Sequence, residues 1–242
     1  MIKTIIFDLD DTLLECSRYY QERKMMFAEQ QSTRLGISTD ICYKILTDMD
    51  ITCTELDHGF SKHRFPRSFA AASAALDLIC GKSVNESAAE ESYMLGQSVF
   101  DAPYELVENA VNVLQSLKDD GYLLVLWTKG DYDVQTKKIV KNNLFQYFKR
   151  EHVYITSKKT PECIKTILFD TKADPHETAL IGDSLRDDIR CGNVMNVTTV
   201  WVRRSLNFNW AYENQSHEPT YIVERIEEVP HIFSVSSTAL VF

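Results

Sequence analysis

The apolar positions fall into two regimes along the chain. Near the N-terminus a short unbroken apolar run, Ile5-Ile6-Phe7, stops abruptly at Asp8, Asp10 and Asp11. A run without polar alternation reads as a strand buried on both faces, the habit of a parallel sheet covered by helices. From Leu13 to Leu106 no comparable run recurs. Apolar residues return instead at helical spacing in four stretches: Tyr19 to Leu35, Ile41 to Met49, Phe69 to Ile79, and Ser87 to Phe100. Gly36, Gly59, Pro66, Gly81 and Pro103 punctuate them. This pattern predicts an all-helical insertion over 15–103, placed directly after the first strand.

From Tyr104 onward the rhythm changes to alternating helices and short apolar runs. The helical segments are Val107 to Leu117, Val134 to Asn142, Pro161 to Phe169 and Arg186 to Met195. Between them lie strands at Tyr122 to Trp127, Val153 to Ile155, Ala179 to Gly182, Thr198 to Val202 and Tyr221 to Val223. Strand–helix alternation of this kind predicts an α/β fold with a doubly wound parallel sheet, built from 1–14 and 104–242. The stretch from Ser234 to Phe242 gives no clear element.

Composition adds bounds. With 44% hydrophobic and 25% charged residues, the 242-residue chain matches an ordinary soluble globular protein. A net charge of -9 argues against a nucleic-acid backbone as principal partner, since phosphate chains select basic faces. No apolar run is long enough to span a bilayer, so no membrane partner is expected. The six cysteines are scattered and form no CxxC pair, and the N-terminus reads as a strand, not a signal peptide. Reduced thiols in a cytoplasmic protein are the expectation.

The candidate chemistry lies where the apolar runs end. In parallel sheets ligands sit beyond the carboxyl ends of the strands. Asp8 and Asp10 stand two residues apart, which starts them on the same side of an extended chain. Two like charges so close need a cation or a shared proton; the competing reading is a solvated acidic turn after an edge strand. Three more strand ends carry polar residues: Thr128, the pair Lys158-Lys159, and Asp183 followed by Asp187 and Asp188. Jointly they are far more specific than any one of them.

The segments Phe7-Asp8-Leu9-Asp10-Asp11-Thr12-Leu13, Leu126-Trp127-Thr128, Lys159, and Ile181-Gly182-Asp183-Ser184 with Asp188 resemble the four motifs of the haloacid dehalogenase superfamily, in order and at normal separation. The helical block resembles its inserted C1-type cap, on a Rossmann-like core. The resemblance implies a phosphatase acting on a small phosphorylated metabolite with Mg2+. Asp8 would be the nucleophile that forms an aspartyl-phosphate. Asp10 would protonate the leaving oxygen and later activate water. Thr128 and Lys159 would hold the phosphoryl group, with Lys129, which stands where many members have Asn, altering the donor set. The Mg2+ ligands implied are Asp8, the backbone carbonyl of Asp10 and Asp183, with Asp188 supporting them. Spacing leaves Lys158 open beside Lys159, and Asp187 beside Asp188.

Charge arithmetic supports that grouping. Three carboxylates and a phosphate monoester bring about -5, and one Mg2+ with one Lys returns about +3. Dehalogenating members lack an acid at the position of Asp10, which favours the phosphatase branch. The alternatives are a non-catalytic binding protein on the same fold, or related chemistry as a mutase, phosphonate hydrolase or haloacid hydrolase. The basic stretch from His58 to Arg67 offers Arg64 or Arg67 as leaving-group contacts; it also reads as a solvated loop.

Overall fold

The computed structural model describes residues 1–56, 61–204 and 217–234. The chain divides into two compact units, Met1–Ser17 with Tyr104–Phe242, and Arg18–Pro103. The first strand, β1 (Thr4–Phe7), precedes a run of four helices: α1 (Ser17–Leu35), α2 (Thr39–Leu56), α3 (Arg64–Ile79) and α4 (Glu86–Gln97).

The helical unit packs around aromatic rings. Phe65 meets Phe69 at 4.8 Å and Tyr20 at 4.9 Å, and Phe27 meets Phe69 at 5.4 Å, all edge-on. Edge-on contacts of this kind add to the stability that burial of the rings supplies. α3 begins five residues earlier than the expected start at Phe69, because Pro66 fits a helical first turn. The early start carries Arg64 into the interior. Its Nη1 donates to the carboxylate and the carbonyl of Asp50, and Lys24 Nζ lies 2.7 Å from the same carboxylate. All three residues are buried, so they survive there only as paired charges. Arg64 is therefore an internal partner of α2, neither a solvated loop residue nor a free contact for a ligand. Arg67 on the same helix is exposed. Residues 58–60 of the basic stretch, and the tail from 235, lie outside the described residues.

The other unit is the expected parallel α/β sheet. Its further strands are β2 (Leu123–Lys129), β3 (Val153–Thr156), β4 (Thr178–Gly182), β5 (Thr198–Val202) and β6 (Tyr221–Val223). The order is β3-β2-β1-β4-β5-β6, and every pairing is parallel. β1 is central, with Phe7 in register with Leu126 of β2 and Ile181 of β4. The chain runs outward from β1 through β2 to β3, then returns to place β4 on the other side of β1. That reversal makes a switch point, where strand ends flare apart and leave a crevice. The connecting helices are α5 (Ala110–Asp119), α6 (Tyr132–Lys141), α7 (Pro161–Thr171), α8 (Arg190–Val194) and α9 (Val229–Ser234).

Alternation along each strand splits the core into two layers. Ile6, Val125, Trp127 and Leu180 pack against Ile164, Ile167 and Leu168 of α7 and Cys191 of α8. On the strands' alternate positions Phe7 meets Phe148 at 6.3 Å. Each fully buried apolar side chain of this size contributes about 1.5–3 kcal/mol, so the layers hold the strand ends rigidly. All six cysteines are free thiols, and Cys191 is a packed core residue. No helix among the described residues is long and apolar enough to cross a membrane.

The helix expected over Arg186–Met195 is interrupted. Leu185–Ile189 forms a widened π-turn that leads into the short α8. Such turns add a residue to the helical cycle and redirect side chains. Here the turn sends Asp187 and Asp188 in different directions.

Candidate active site

The parallel register fixes which residues meet. Asp8 follows the last residue of β1, Thr128 stands two past Leu126, and Asp183 two past Ile181. All three reach one rim of the sheet. The Asp8 backbone N–H still donates to the Ile181 carbonyl at 2.9 Å, so β1 and β4 remain zipped up to the site. The Asp183 carbonyl accepts from Trp201 Nε1 of β5 at 2.7 Å, which anchors the end of β4.

Lys159 sits in the loop between β3 and α7, one residue before Thr160, the N-cap of α7. Its buried ammonium group donates to Asp8 and, at 2.5 Å, to Asp188 Oδ1. The Trp127 ring lies 5.0 Å below the same nitrogen, a cation–π contact that helps hold a desolvated ammonium. Lys158 is exposed, so Lys159 is the lysine brought to Asp8. The two carboxylates raise the Lys159 ammonium above its ordinary range even though burial works the other way. Lys159 is therefore a fixed positive charge.

Asp188 is buried beneath this lysine. Its Oδ2 accepts from the Ser184 backbone N–H at 3.2 Å, while Ser184 Oγ accepts from the Asp187 N–H at 3.1 Å. This cap closes the π-turn and turns Asp188 inward. Asp187 instead pairs with Lys129 at the end of β2. Burial would raise the Asp187 carboxyl, but the Lys129 ammonium outweighs it and holds it below the usual range. Thus of the two adjacent aspartates only Asp188 joins Asp8, and Lys129 is engaged by the other.

Carboxylate oxygens of Asp8, Asp183 and Asp188 all lie within 4.8 Å of one another. Burial drives the Asp8 carboxyl up to about 7, against the pull of Lys159, and burial together with the Asp8 charge pushes Asp183 well above the ordinary range. The Lys159 ammonium does not balance three carboxylates, two of them buried and the third, Asp183, half-buried. The donor set is all oxygen, which suits a hard divalent cation. Thr12 adds a hydrogen bond to Asp8 Oδ2 at 3.2 Å.

Asp10 takes separate partners. β1 ends at Phe7 and Asp10 forms an isolated bridge with Leu14, so the two-residue alternation that would align Asp10 with Asp8 no longer applies. Its oxygens each lie 2.9 Å from Lys138 Nζ of α6, Oδ2 accepts from Gln135 Nε2 at 3.0 Å, and Oδ1 accepts from the Cys16 thiol at 2.9 Å. Burial would raise the Asp10 carboxyl; Lys138, Cys16 and Gln135 together hold it below the usual range. Neither Lys138 nor Gln135 was marked by the motifs. A signal existed: Gln135 and Lys138 share the buried stripe of α6 with Ile139, where a plain amphipathic helix would carry apolar residues. Asp11, in a left-handed conformation at φ 59°, ties down the loop by accepting from the backbone N–H groups of Cys16 and Ser17 at 3.0 and 2.8 Å.

The model of the haloacid dehalogenase-like hydrolases matches residues 84–202. The chain is 27% identical to glyceraldehyde 3-phosphate phosphatase of Pyrococcus abyssi over 84% of its own length and 82% of that protein. It is 31% identical to phosphoserine phosphatase of Thermus thermophilus over 43% of each chain. Among solved structures, a haloacid dehalogenase-like family hydrolase from Xanthomonas campestris superposes with a TM-score of 0.76 at 20% identity, covering 97% of this chain and 91% of that one. The HAD-hydrolase YfnB of Bacillus subtilis, solved bound to magnesium, gives 0.64 at 20% identity, covering 96% and 98%. A parallel sheet with an acidic rim at its switch point, and a match to this family's model, are what define such a hydrolase. Over residues 84–202, just under half of its length, the chain matches the haloacid dehalogenase-like hydrolases, and it shares the fold of their solved structures.

Proposed function

We propose that the protein is a Mg2+-dependent phosphatase that hydrolyses a small phosphorylated metabolite through an aspartyl-phosphate on Asp8. The chain is a phosphoric monoester hydrolase by the company of its relatives. The observation that carries the finer reading is the Lys159 ammonium shared by Asp8 and Asp188 beside Asp183. Asp8, Asp183 and Asp188, with the Asp10 carbonyl, would hold Mg2+. When bound, that ion would neutralise carboxylate and phosphate charge and let an anionic nucleophile approach an anionic ester.

The chain's own groups then have these tasks. Asp8 attacks phosphorus, so its oxygen forms the new P–O bond as the bond to the leaving oxygen breaks. Asp10, held ionised by Lys138 in the free protein, takes up a proton as the phosphate ester enters and gives it to that oxygen, and afterwards takes one from the water that cleaves the aspartyl-phosphate. Thr128 Oγ accepts from Gln135 Nε2 at 2.5 Å, which leaves its own hydroxyl hydrogen to donate to a phosphoryl oxygen. Lys159 holds another. Lys129 reaches a substrate only by sharing its ammonium with Asp187. The segment 15–103 serves as a cap that selects the leaving group. Three relatives are glyceraldehyde 3-phosphate phosphatases by name, so three-carbon phosphate esters are the first substrates to try. Six free thiols suit a reducing, cytoplasmic compartment.

The test uses purified protein and p-nitrophenyl phosphate with Mg2+. Turnover is expected for the wild type, and neither with EDTA nor in Asp8→Asn. An Asp8→Asn variant that keeps its rate would sink the mechanism.

A further inference from the structure

We infer that Lys138 and Gln135, one turn apart on α6, are a positioning pair that aims the Asp10 carboxyl and ties it to the phosphate-facing hydroxyl of Thr128. The inference rests on the phosphatase reading above and adds to it two residues outside the four motifs.

A buried lysine is costly unless a partner repays its desolvation. Lys138 is 3% exposed and Gln135 2%, on a helix whose other polar residues had every opportunity to face solvent. Both side chains converge on the same carboxylate. Lys138 Nζ is equidistant from the two oxygens, at 2.9 Å. A symmetric contact of this kind draws the bisector of the carboxylate toward α6, and the off-axis Gln135 Nε2 on Oδ2 at 3.0 Å sets its rotation about that line. The Tyr104 ring lies 4.4 Å from the same ammonium, and Cys16 Sγ lies 3.8 Å from it. Gln135 Nε2 reaches both Asp10 Oδ2 at 3.0 Å and Thr128 Oγ at 2.5 Å. One amide group thus links the residue that handles the leaving group with the residue that holds the phosphoryl group.

This arrangement has a chemical consequence. As the ester P–O bond breaks, its electron pair goes to the leaving oxygen and the Asp10 proton must arrive along a defined line. Rotation about the Asp10 side-chain bonds would spread that proton over many directions. Holding the carboxyl from α6 sets the line before the substrate arrives, which is the way orientation lowers a barrier. The benefit is graded. An alkoxide leaving group needs the proton; a p-nitrophenolate does not.

The experiment compares kcat/KM, which reports the steps up to phosphoenzyme formation, for p-nitrophenyl phosphate and for glycerol phosphate. The variants are Lys138→Met, Lys138→Arg and Gln135→Leu, each checked by a melting curve. In Lys138→Met the alkyl ester is expected to lose about tenfold more than the aryl ester, a fraction of the 10²–10⁴ that acid–base catalysis supplies. Lys138→Arg should recover part of that ratio, and Gln135→Leu should shift it the same way as Lys138→Met, by less. Equal losses on both esters, or no loss on either, overturn the inference. If Lys138→Met does not fold, the ratios in Gln135→Leu and Lys138→Arg decide by the same criterion. A wild-type protein inactive on every ester is a different result: it removes the phosphatase reading, and the inference with it.

Discussion

One methyl group at Gly182 would enter the site. A Cβ built there lies 2.3 Å from Asp188 Oδ2 and 2.4 Å from its Cγ, far inside van der Waals contact. The absent side chain is what lets Asp188 lie against the end of β4 and reach Lys159. Gly182→Ala should therefore push Asp188 away and lower kcat/KM on p-nitrophenyl phosphate by about tenfold or more, since small displacements in a positioned site carry large rate costs. A control lies nearby: Lys158→Ala should leave the rate within about twofold, because Lys158 is exposed and surface changes away from such features are small. Asp8, Thr128 and Asp183 could be read as candidates from the sequence because each stands where an apolar run ends, whereas Lys159 and Asp188 came only as members of the adjacent pairs Lys158-Lys159 and Asp187-Asp188. Lys138 and Gln135 left a fainter signal, as polar exceptions beside Ile139 in a helical stripe that turns out buried. The division between Asp187 and Asp188 was hidden: it depends on a π-turn, which no hydrophobic period announces.

At the scale of elements, the legible features were those with a strong period. The central strands follow from doubly buried runs and most helices from amphipathic faces, while the edge strands β3 and β6 are half-buried or exposed and show only as short apolar runs. The start of α3 was misplaced because Arg64 and Arg67 look like loop residues until a buried partner, Asp50, is known. The turn between α3 and α4 shows how much such hidden pairs matter. Asp77 is fully buried, accepts from Arg34 Nη1 at 2.6 Å and from the Asn85 backbone N–H at 2.9 Å, and so fixes the residue that caps α4. Burial alone would raise its carboxyl. The Asn85 N–H and the Arg34 guanidinium outweigh burial and hold it below the usual range. A carboxyl depressed on folding stabilises above its unfolded value, near 3.9, and that contribution fades as pH falls through the folded value. Asp77→Asn should then cost about 1.5–3 kcal/mol at pH 7, the range of a hydrogen bond to a charged group. In urea melts the gap between variant and wild type should close as the pH falls below the unfolded carboxyl value, near 3.9. A gap that stays constant with pH would mean the charge is not what holds the turn.

For the whole molecule, the arrangement that supports catalysis works against stability. The sheet unit packs buried Asp8 and Asp188 beside half-buried Asp183, with Lys159 between the first two, in a chain whose net charge is already -9. Core layers on both sides of the sheet supply the stability that lets this cluster persist. Two measurements of opposite sign follow for Asp183→Asn. With EDTA present the variant should melt above the wild type, since a neutral amide relieves repulsion among buried carboxylates. With Mg2+ added the order should reverse, because a cation that binds only the folded state stabilises it by about 2.7 kcal/mol at a hundred times its dissociation constant, and the variant gives up a ligand. Melting curves of the intact chain, with and without Mg2+, test this without knowledge of the natural substrate. An Asp183→Asn variant that melts below the wild type in EDTA and responds to Mg2+ as strongly would show that the three carboxylates are a packing cluster, and that the cation site lies elsewhere.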